Sequence, residues 1–353
     1  MSACVAELAG RGHLHPTNDP VLVRRPEYRL THQRVGVPSK TALVLSVALI
    51  CGFAFLGLSH QDLRREIGKS LTSFRVAPLA AAFLLVLAQV GCQSLRFWAA
   101  VPPGARLTVV EAAHVFTAGD WANIFAPARG GDVLKVVLMK RVGGDRDINL
   151  PGATGAVLAD KIVDLGSLLL LCAITGSLGI VGKGADAPNL GPLLVGAGTA
   201  AVLLALIVVS RRTWSERLKN LSRQLWEGLS TLKHPVRCLI SVSFGVGAWA
   251  AEMFALLVLC GGLGVAPAPP RIAFALALLN VGTAIPVSVA SLGVYEAALT
   301  YGLSQSGLPL PSAIAVATAH HVLQLLALSL CAAAFSVPVH VLPRHAQGQP
   351  GRS

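Results

Sequence analysis

The segment "NIFAPARGGDVLK", residues 123–135, interrupts a long apolar run with a proline, two adjacent glycines and three charged residues. A helix that simply crosses a membrane has no use for such a break, because an irregular backbone leaves polar groups unpaired in lipid. The segment is therefore either a surface loop or a site at which the chain bends within the membrane. The composition of the rest of the chain bears on this choice.

That composition is typical of an integral membrane protein. Of the 353 residues, 54% are hydrophobic and 13% are charged, whereas a soluble domain carries about a quarter charged residues. Several apolar runs reach the roughly 20 residues that a helix needs to cross the hydrocarbon layer. Because these runs are continuous and do not alternate with polar residues, they favour helices over a β-barrel.

The basic charge and the cysteines exclude other classes of protein. The formal net charge of +12 would suggest nucleic acid in a soluble protein. Here the basic residues flank apolar runs, where membrane orientation and anionic headgroups explain them, so no nucleic-acid partner is expected. The seven cysteines form no CxxC pair, so we expect neither a zinc site nor a disulfide framework. No cofactor is expected.

Three regions are predicted along the chain. Residues 1–40 are polar and rich in proline and arginine, without a cleavable signal peptide, which indicates a disordered cytoplasmic tail. Residues 41–340 form the transmembrane domain, and 341–353 form a short polar C-terminal tail. Six segments of the domain are predicted as full spans: about 41–58, 77–98, 154–181, 191–210, 237–262 and 313–338.

Two further apolar stretches, 107–141 and 271–303, are interrupted in the middle by glycine, proline and charge. The first also carries Glu111, His114 and Asp120, which together are too polar to face lipid. Irregular backbone at membrane depth is tolerated where protein or water surrounds it. We therefore predict two re-entrant helical hairpins, each entering and leaving by one side. The fold class is an all-α polytopic membrane protein with about six full spans plus these hairpins.

Charge on the connecting segments predicts the orientation. The segment 211–237 holds seven Lys and Arg residues, so it is predicted to be cytoplasmic. The linkers 182–190 and 304–312 carry one charge pair or none and are placed outside. Counting spans back puts the N-terminus and the first hairpin inside and the second hairpin outside. The basic segment 59–76 then falls outside, either as an amphipathic surface helix or because the count is wrong.

The two interruptions share an order of residue types: Asn, then Pro, then Gly shortly before a carboxylate. Similar broken segments in two halves of a membrane protein indicate an inverted repeat with a midplane site. The alternative is two unrelated loops in a glycine-rich chain. The residues are Asn123, Pro127, Gly130, Gly131 and Asp132 in the first break, and Asn280, Pro286, Gly293 and Glu296 in the second.

A helix that begins inside the membrane has unpaired N–H groups and partial positive charge at its start, which together favour an anion. Gly130 and Gly131 would let a ligand approach the backbone, Arg129 offers a planar fork suited to phosphate, and Lys135 follows on the new helix. Asp132 complicates this interpretation. It would either cap the helix or pair with Arg129 in the absence of a ligand.

Charged residues also occur inside predicted spans, where they mark a site unless they are paired. Asp160 and Asp164 are four residues apart and share a helix face, while Lys161 lies to one side. The alternative is a purely structural pair between Lys161 and either aspartate. Glu252 lies deep in a span, so it either faces a polar cavity or pairs with a basic group.

Other polar residues have two interpretations each. Glu296 is a proton-coupled carboxylate, a counter-ion to the basic residues, or an ordinary acid at a helix start. His320 and His321 relay protons or hydrogen-bond neighbouring helices. Arg96 and Trp98 are predicted to form an interfacial anchor.

Together these residues resemble a known family. "NIFAPARGGDVLKVVLMKR", "ADKIVD" at Ala159–Asp164 and "IPVSVASLGVYE" at Ile285–Glu296 are similar to elements of the flippase-like lysylphosphatidylglycerol synthase transmembrane region. Those elements are N-x-x-x-P-x-R-x-G-E, R-x-x-D and P-x-S-x-G-G-x-G-x-x-E. "HHVLQLL" at His320–Leu326 resembles an H-x-x-Q element. The resemblance covers roughly residues 41–340.

The chain departs from this pattern at several positions. Asp132 replaces the usual Glu, Lys161 replaces the usual Arg, and Ala290-Ser291-Leu292 stands where Gly-Gly is expected before Gly293. The chain also ends near the last span, without the soluble aminoacyl-transfer domain, so lysine transfer is not expected.

The resemblance implies a flippase-like transporter in a bacterial inner membrane, moving an anionic lipid or lipid-linked compound between leaflets. One alternative is an intramembrane transferase that uses a lipid-phosphate donor. Another is a non-transporting scaffold whose partner is a cell-envelope biosynthesis enzyme. No catalytic constellation is found, so an enzyme is not expected. The predicted substrate-binding residues are Asn123, Pro127, Arg129, Gly130, Gly131, Asp132, Lys135, Asp160, Lys161, Asp164, Asn280, Pro286, Gly293, Glu296, His321 and Gln324.

Overall fold

The computed structural model describes residues 61–102, 104, 107–125, 130–143, 150–176, 234–284 and 291–341. Within these residues there are nine α-helices and no β-strand, which confirms the all-α class. The helices are α1 (Gln61–Thr72), α2 (Val76–Ala100), α3 (Val109–Phe125), α4 (Gly130–Gly143), α5 (Leu150–Ile174), α6 (Pro235–Gly262), α7 (Pro269–Ala284), α8 (Val294–Gln305) and α9 (Leu310–Val341).

Several predictions fall outside the described residues. These are the spans at 41–58 and 191–210, the N-terminal tail, the C-terminal tail beyond Val341, the linker 182–190, and most of the basic segment 211–237. At 59–76 the structure has the helix α1, most of whose described side chains are exposed and which packs against α9.

Three of the described helices are long and apolar enough to cross a membrane: α2, α6 and the part of α9 from Leu310 to Ser336. They coincide with the predicted spans 77–98, 237–262 and 313–338, and they support an integral membrane protein. Helix α5, predicted as a span at 154–181, has 25 residues. It is long enough to cross, but three charged residues lie in its middle.

The first interrupted stretch forms two helices, α3 and α4, which pack against each other. Gly119 of α3 lies against Lys135 of α4, whereas Asn123, further along α3, lies against Gly131, earlier on α4. The two helices are therefore antiparallel. A methyl group on Gly131 would overlap the carbonyl oxygen of Gly119 and the amide of Asn123. The close approach of α3 therefore requires a glycine at this position. From the sequence, Gly131 had been expected to make room for a ligand.

The second interrupted stretch forms α7 and α8, which also pack as an antiparallel pair. A methyl group on Gly302 would lie 2.7 Å from Cα of Ala275, and one on Gly282 would lie 2.8 Å from Cβ of Ala298. The prediction of a helix pair at each interruption is confirmed, while their re-entrant path through a membrane stays a prediction.

The turn before α8 uses left-handed backbone. Gly293, at the N-cap of α8, has φ of 81°, which glycine adopts without strain. Ser291 has φ of 55°, a conformation that is unfavourable for residues with a Cβ. Ser291 lies in the three-residue stretch where the family pattern has its Gly-Gly pair, so the departure from that pattern places a strained residue in this turn.

The long helices hold the two hairpins in place. Helices α2 and α6 pack along each other, and α9 contacts both of them. Helix α9 also contacts α3 of the first hairpin and α8 of the second. Apolar side chains around Phe97, Phe116 and Met139 join the end of α2 to the first hairpin and α5. A second apolar core joins α2, α5, α6 and α9 to the second hairpin.

Candidate functional site

Charged side chains meet where α2, the first hairpin and α5 come together, and we refer to them as the charged cluster. Three are basic and four are acidic, so the cluster carries one net negative charge. Charges at this depth in an apolar protein are expensive unless they are paired or functional. The cluster consists of Arg96 on α2, Asp120 on α3, Asp132 and Lys135 on α4, and Asp160, Lys161 and Asp164 on α5.

Arg96 forms the buried half of the cluster. Its side chain is 2% exposed, and its Nε donates a hydrogen bond to Oδ1 of Asp160 at 2.8 Å. Its Nη1 donates to Oδ1 of Asp164. The indole Nε1 of Trp249 on α6 donates to the same aspartate at 3.1 Å. Asp160 and Asp164 share one face of α5, as predicted, and that face is turned toward α2.

The prediction of an interfacial anchor is therefore wrong for Arg96. Arg96 is not an interfacial anchor, because two carboxylates of α5 give its guanidinium a paired position in the interior. Trp98 is half-buried, and its indole Nε1 donates to the carbonyl of Leu107 at 3.1 Å. The structural ion pair of Asp160 and Asp164 is made with Arg96, whereas sequence reasoning had offered Lys161.

Lysines form the more open half of the cluster. Nζ of Lys135 is 2.6 Å from Oδ1 of Asp120 and 3.5 Å from Oδ1 of Asp132. It also lies 4.4 Å from the ring centroid of Phe116, and its side chain is fully buried. Nζ of Lys161 is 3.4 Å from the same Asp132 oxygen, and this lysine is 33% exposed.

Asp132 is the most loosely held member of the cluster. Charged hydrogen bonds between ammonium and carboxylate groups are about 2.7–2.9 Å long, and both contacts of Asp132 are longer than this. Its buried Oδ1 makes no hydrogen bond to any residue that the structure describes. Asp132 therefore lies between two ammonium groups at the start of α4 without a directional bond to either.

Asn123 closes the first break. Its Oδ1 accepts a hydrogen bond from the backbone N–H of Gly131 at 2.8 Å, and its Nδ2 donates to Asp120 at 3.3 Å. One of the unpaired N–H groups at the start of α4 is thus satisfied by the chain itself. Gly130 is the first residue of α4, while Pro127 and Arg129 lie outside the described residues.

A second polar group, the amide triad, consists of Gln89 on α2, Glu252 on α6 and Gln324 on α9. Nε2 of Gln89 donates to Oε2 of Glu252 at 2.8 Å. Nε2 of Gln324 donates to Oε1 of Gln89 at 2.7 Å and of Glu252 at 3.3 Å. In the described part of the chain, Glu252 is therefore bound by amides and has no basic partner. Sequence reasoning missed Gln89, whose one signal is a glutamine inside an apolar helix.

A third group, the histidine cluster, joins the second hairpin to α9 through Tyr295, Glu296, His320 and His321. Oε1 of Glu296 is 2.6 Å from Nδ1 of His321, and its Oε2 accepts from the N–H of Gly293 at 2.7 Å. The hydroxyl of Tyr295 is 2.7 Å from Nδ1 of His320. The Tyr295 ring also stacks on His321, with centroids 4.1 Å apart. Glu296 thus both caps its helix and binds a histidine.

Two other predicted residues of the second hairpin are less informative. Asn280 is half-buried in the last turns of α7, and its backbone carbonyl accepts from Thr283 at 3.3 Å. Pro286 lies outside the described residues.

The three groups share helices. Gln89 and Arg96 both lie on α2, and Trp249 and Glu252 both lie on α6, so these two helices connect the charged cluster to the amide triad. Gln324 lies on α9 three residues after His321, so α9 connects the triad to the histidine cluster. Seven residues of helix span about 10 Å. Polar groups therefore follow one another from the first hairpin to the second through an apolar interior.

No arrangement of three or more metal-binding side chains occurs among the residues that the structure describes.

Comparison with known proteins gives one match. A model of a protein family, described as Lysylphosphatidylglycerol synthase TM region, matches residues 42–332 of the chain. No curated protein and no solved structure matches the chain. The matched range takes in the described helices up to residue 332 of α9, and with them the charged cluster, the amide triad and the histidine cluster.

Proposed function

This chain belongs to the lysylphosphatidylglycerol synthase TM region family, and from that premise we propose that it moves an anionic lipid or lipid-linked compound between membrane leaflets. The family match confirms the resemblance of the motifs, and the described helices support a membrane protein. The transported compound leaves chemically unchanged in this proposal. The proposed partners of the protein are membrane lipids with phosphate-bearing headgroups.

The proposal depends on the long contacts of Asp132, whose Oδ1 makes no hydrogen bond to a described residue. Two ammonium groups and the start of a helix surround this carboxylate, and each of these features favours an anion. A phosphate that replaced the Asp132 carboxylate would receive hydrogen bonds from Lys135 and Lys161, which the carboxylate holds at more than 3.3 Å. Asp132 thus occupies the headgroup position when no lipid is bound.

The other ion pairs of the cluster fix the position of this exchange. Lys135 keeps its shorter contact with Asp120, and Arg96 keeps both aspartates of α5. Lys161 is one-third exposed and supplies the open side through which a headgroup enters. The family motif adds Arg129, the residue before α4 in the sequence, and we propose it as a further phosphate ligand.

Two antiparallel hairpins with similar interruptions also support an inverted repeat, in which each hairpin faces the site from an opposite side. Helix α9 contacts α3 of the first hairpin and α8 of the second. A displacement of one hairpin therefore bears directly on a helix that holds the other. The remaining predicted ligands, among them Asn280 and Gly293, lie in the second hairpin and form its part of the proposed site.

Replacing Lys161 with glutamine tests the proposed headgroup site. Removing a charge-assisted hydrogen bond weakens binding by about 1.5–3 kcal/mol, so exchange of a fluorescent anionic lipid in proteoliposomes is expected to fall roughly tenfold or more. Lys161 contacts only Asp132 among the described carboxylates within ion-pair distance and is part-exposed, so little stability is lost. Lys140→Gln, which replaces an exposed lysine of α4 in the first hairpin, is the matched control and should retain exchange. Lipid exchange by Lys161→Gln at the same rate as by Lys140→Gln would contradict the proposal.

Replacing Asp132 with asparagine should have the opposite effect. The substitution removes the negative charge that competes with the headgroup, so half-maximal exchange is expected at a several-fold lower content of anionic lipid. Asp62→Asn, an exposed acid in the first turn of α1, is the matched control. If Asp132→Asn raised the required lipid content, Asp132 would be a ligand and not a competitor.

The same liposomes separate the other functions. Mass spectrometry of the recovered lipid would reveal a chemically altered product if the protein were a transferase. A scaffold would give neither exchange nor an altered lipid, at any composition of the vesicles.

A further inference from the structure

The contact between Glu296 and His321 requires a proton. A carboxylate oxygen and an imidazole nitrogen that are 2.6 Å apart repel each other unless a hydrogen lies between them, because both atoms otherwise present lone pairs. The pair therefore holds at least one proton as it stands. Both side chains are buried, so this proton is not exchanged freely with bulk water.

None of the described groups next to the Glu296–His321 pair carries a permanent charge that forms an ion pair with it. Tyr295 stacks on His321 and binds His320, whose Nε2 is buried and makes no hydrogen bond to any described residue. From α6, Glu252 lies within electrostatic range of Tyr295. The titratable or charged residues on the other helices packed against α8 and α9 include Cys92 and Arg96 of α2, Glu111, His114 and Asp120 of α3, Arg237, Cys238 and Cys260 of α6, Arg271 of α7, and Asp62, Arg65, Glu66 and Lys69 of α1.

These other groups bind different partners or lie at other positions along their helices. Arg96 is bound by two aspartates, Asp120 by Lys135, and Glu111 by Thr108. Arg271 lies beside Gly307, at the end of the second hairpin away from Glu296. Among the described residues, His321 is the one titratable partner of Glu296 within ion-pair distance, so the number of protons on the pair sets the charge of the pair.

Loss of a second proton from the pair, which turns the imidazolium of His321 into a neutral imidazole, would act on the second hairpin. Glu296 also binds the N–H of Gly293, which has positive φ at the turn before α8. The same carboxylate thus links that turn to α9. With two protons the pair consists of an imidazolium and a carboxylate and carries no net charge. With one proton the neutral imidazole still donates Nδ1–H to Glu296, but the hydrogen bond is no longer strengthened by a positive charge and one net negative charge is left in an apolar interior.

We propose that Glu296 and His321 form a proton-binding site that ties the second hairpin more firmly to α9 when the pair holds two protons. Resting on the proposed lipid transport, we infer that proton binding and release at this site are coupled to the movement of the lipid. Tyr295 and His320 adjoin the site, through the stacking of Tyr295 on His321 and the hydrogen bond between Tyr295 and His320.

The proton site can be tested without any lipid substrate. Purified protein labelled with ¹⁵N-histidine is titrated by NMR, and the signal lost in His321→Gln identifies this residue. Replacing Glu296 with glutamine removes the adjacent negative charge that stabilises the imidazolium, so His321 is expected to lose its second proton at a lower pH than in the wild type. Glu66→Gln, an exposed carboxyl of α1, is the matched control and should leave the titration unchanged. An identical titration in Glu296→Gln and wild type would overturn the site.

Coupling is tested in proteoliposomes with a pH difference imposed across the membrane. Wild-type exchange is expected to differ several-fold between opposite directions of the gradient, and this ratio should fall to one in Glu296→Gln but persist in Glu66→Gln. Exchange that ignores the gradient in wild type would overturn the coupling and leave the transport proposal intact. A complete lack of exchange would instead overturn the proposed function, while the NMR titration would still decide on the proton site.

Discussion

Replacing Arg96 with leucine is expected to lower the free energy of unfolding by about 3–5 kcal/mol, the usual effect of removing one partner from a buried ion pair. Asp160 is fully buried and Asp164 is largely buried, and both accept hydrogen bonds from this guanidinium. The leucine would leave two carboxylates in an apolar environment without a cation. The destabilisation follows from those stranded charges more than from the lost contact itself.

Thermal denaturation in mild detergent, followed by size-exclusion chromatography, measures this loss. Arg75→Leu is the matched control, because Arg75 lies at the exposed start of the same helix and should change the midpoint little. A double variant that also carries Asp160→Asn should recover part of the stability, since one stranded charge is gone. If Arg96→Leu melted like the wild type, the buried pair would contribute nothing and the charged cluster would need another organising group.

Replacing Gly131 with alanine is expected to destabilise the first hairpin by about 1–3 kcal/mol, as insertion of a methyl group into a tightly packed contact does. The new methyl would overlap the backbone carbonyl of Gly119, and a backbone atom cannot rotate away as a side chain can. The helices α3 and α4 would have to separate. Because Asp132 and Lys135 lie in the next turn of α4, their contacts with α3 and α5 would be displaced as well.

The same denaturation assay measures this effect, together with the lipid exchange assay. Gly166→Ala on α5 is the matched control with the opposite sign, because nothing lies near its added methyl group. Within a helix that exchange is expected to stabilise by roughly 0.5–1 kcal/mol. A stability gain at both positions would show that the two helices of the hairpin are not in tight contact.

The features that are local in sequence could be predicted. Breaks of glycine and proline in apolar runs separate two helices wherever they occur, so both hairpins were found as helix pairs. The spacing of Asp160 and Asp164 determines a shared face in any helix. The position of Glu296, three residues after Gly293, gives a helix-start acid, and the structure has that contact.

The features that depend on distant partners could not be predicted. Arg96 and Asp160 are separated by 64 positions, and Gln89 and Glu252 by 163. A single sequence holds no signal for such contacts beyond the need of a buried charge for some partner. Local composition was misleading at Arg96, where a nearby tryptophan suggested the membrane surface. It was also incomplete at Gly131, where a neighbouring helix, not a ligand, requires the missing side chain.

Helix α9 has 32 residues, so at 1.5 Å per residue it is about 48 Å long. The hydrocarbon layer is about 30 Å thick, which means that α9 either leans far from the membrane normal or projects well beyond the acyl chains. Because α9 is long and contacts both hairpins, a small rotation about its centre moves its two ends by a larger distance. Where α9 leans, a thinner or thicker bilayer changes its tilt, and with it the position of the two hairpins that it contacts.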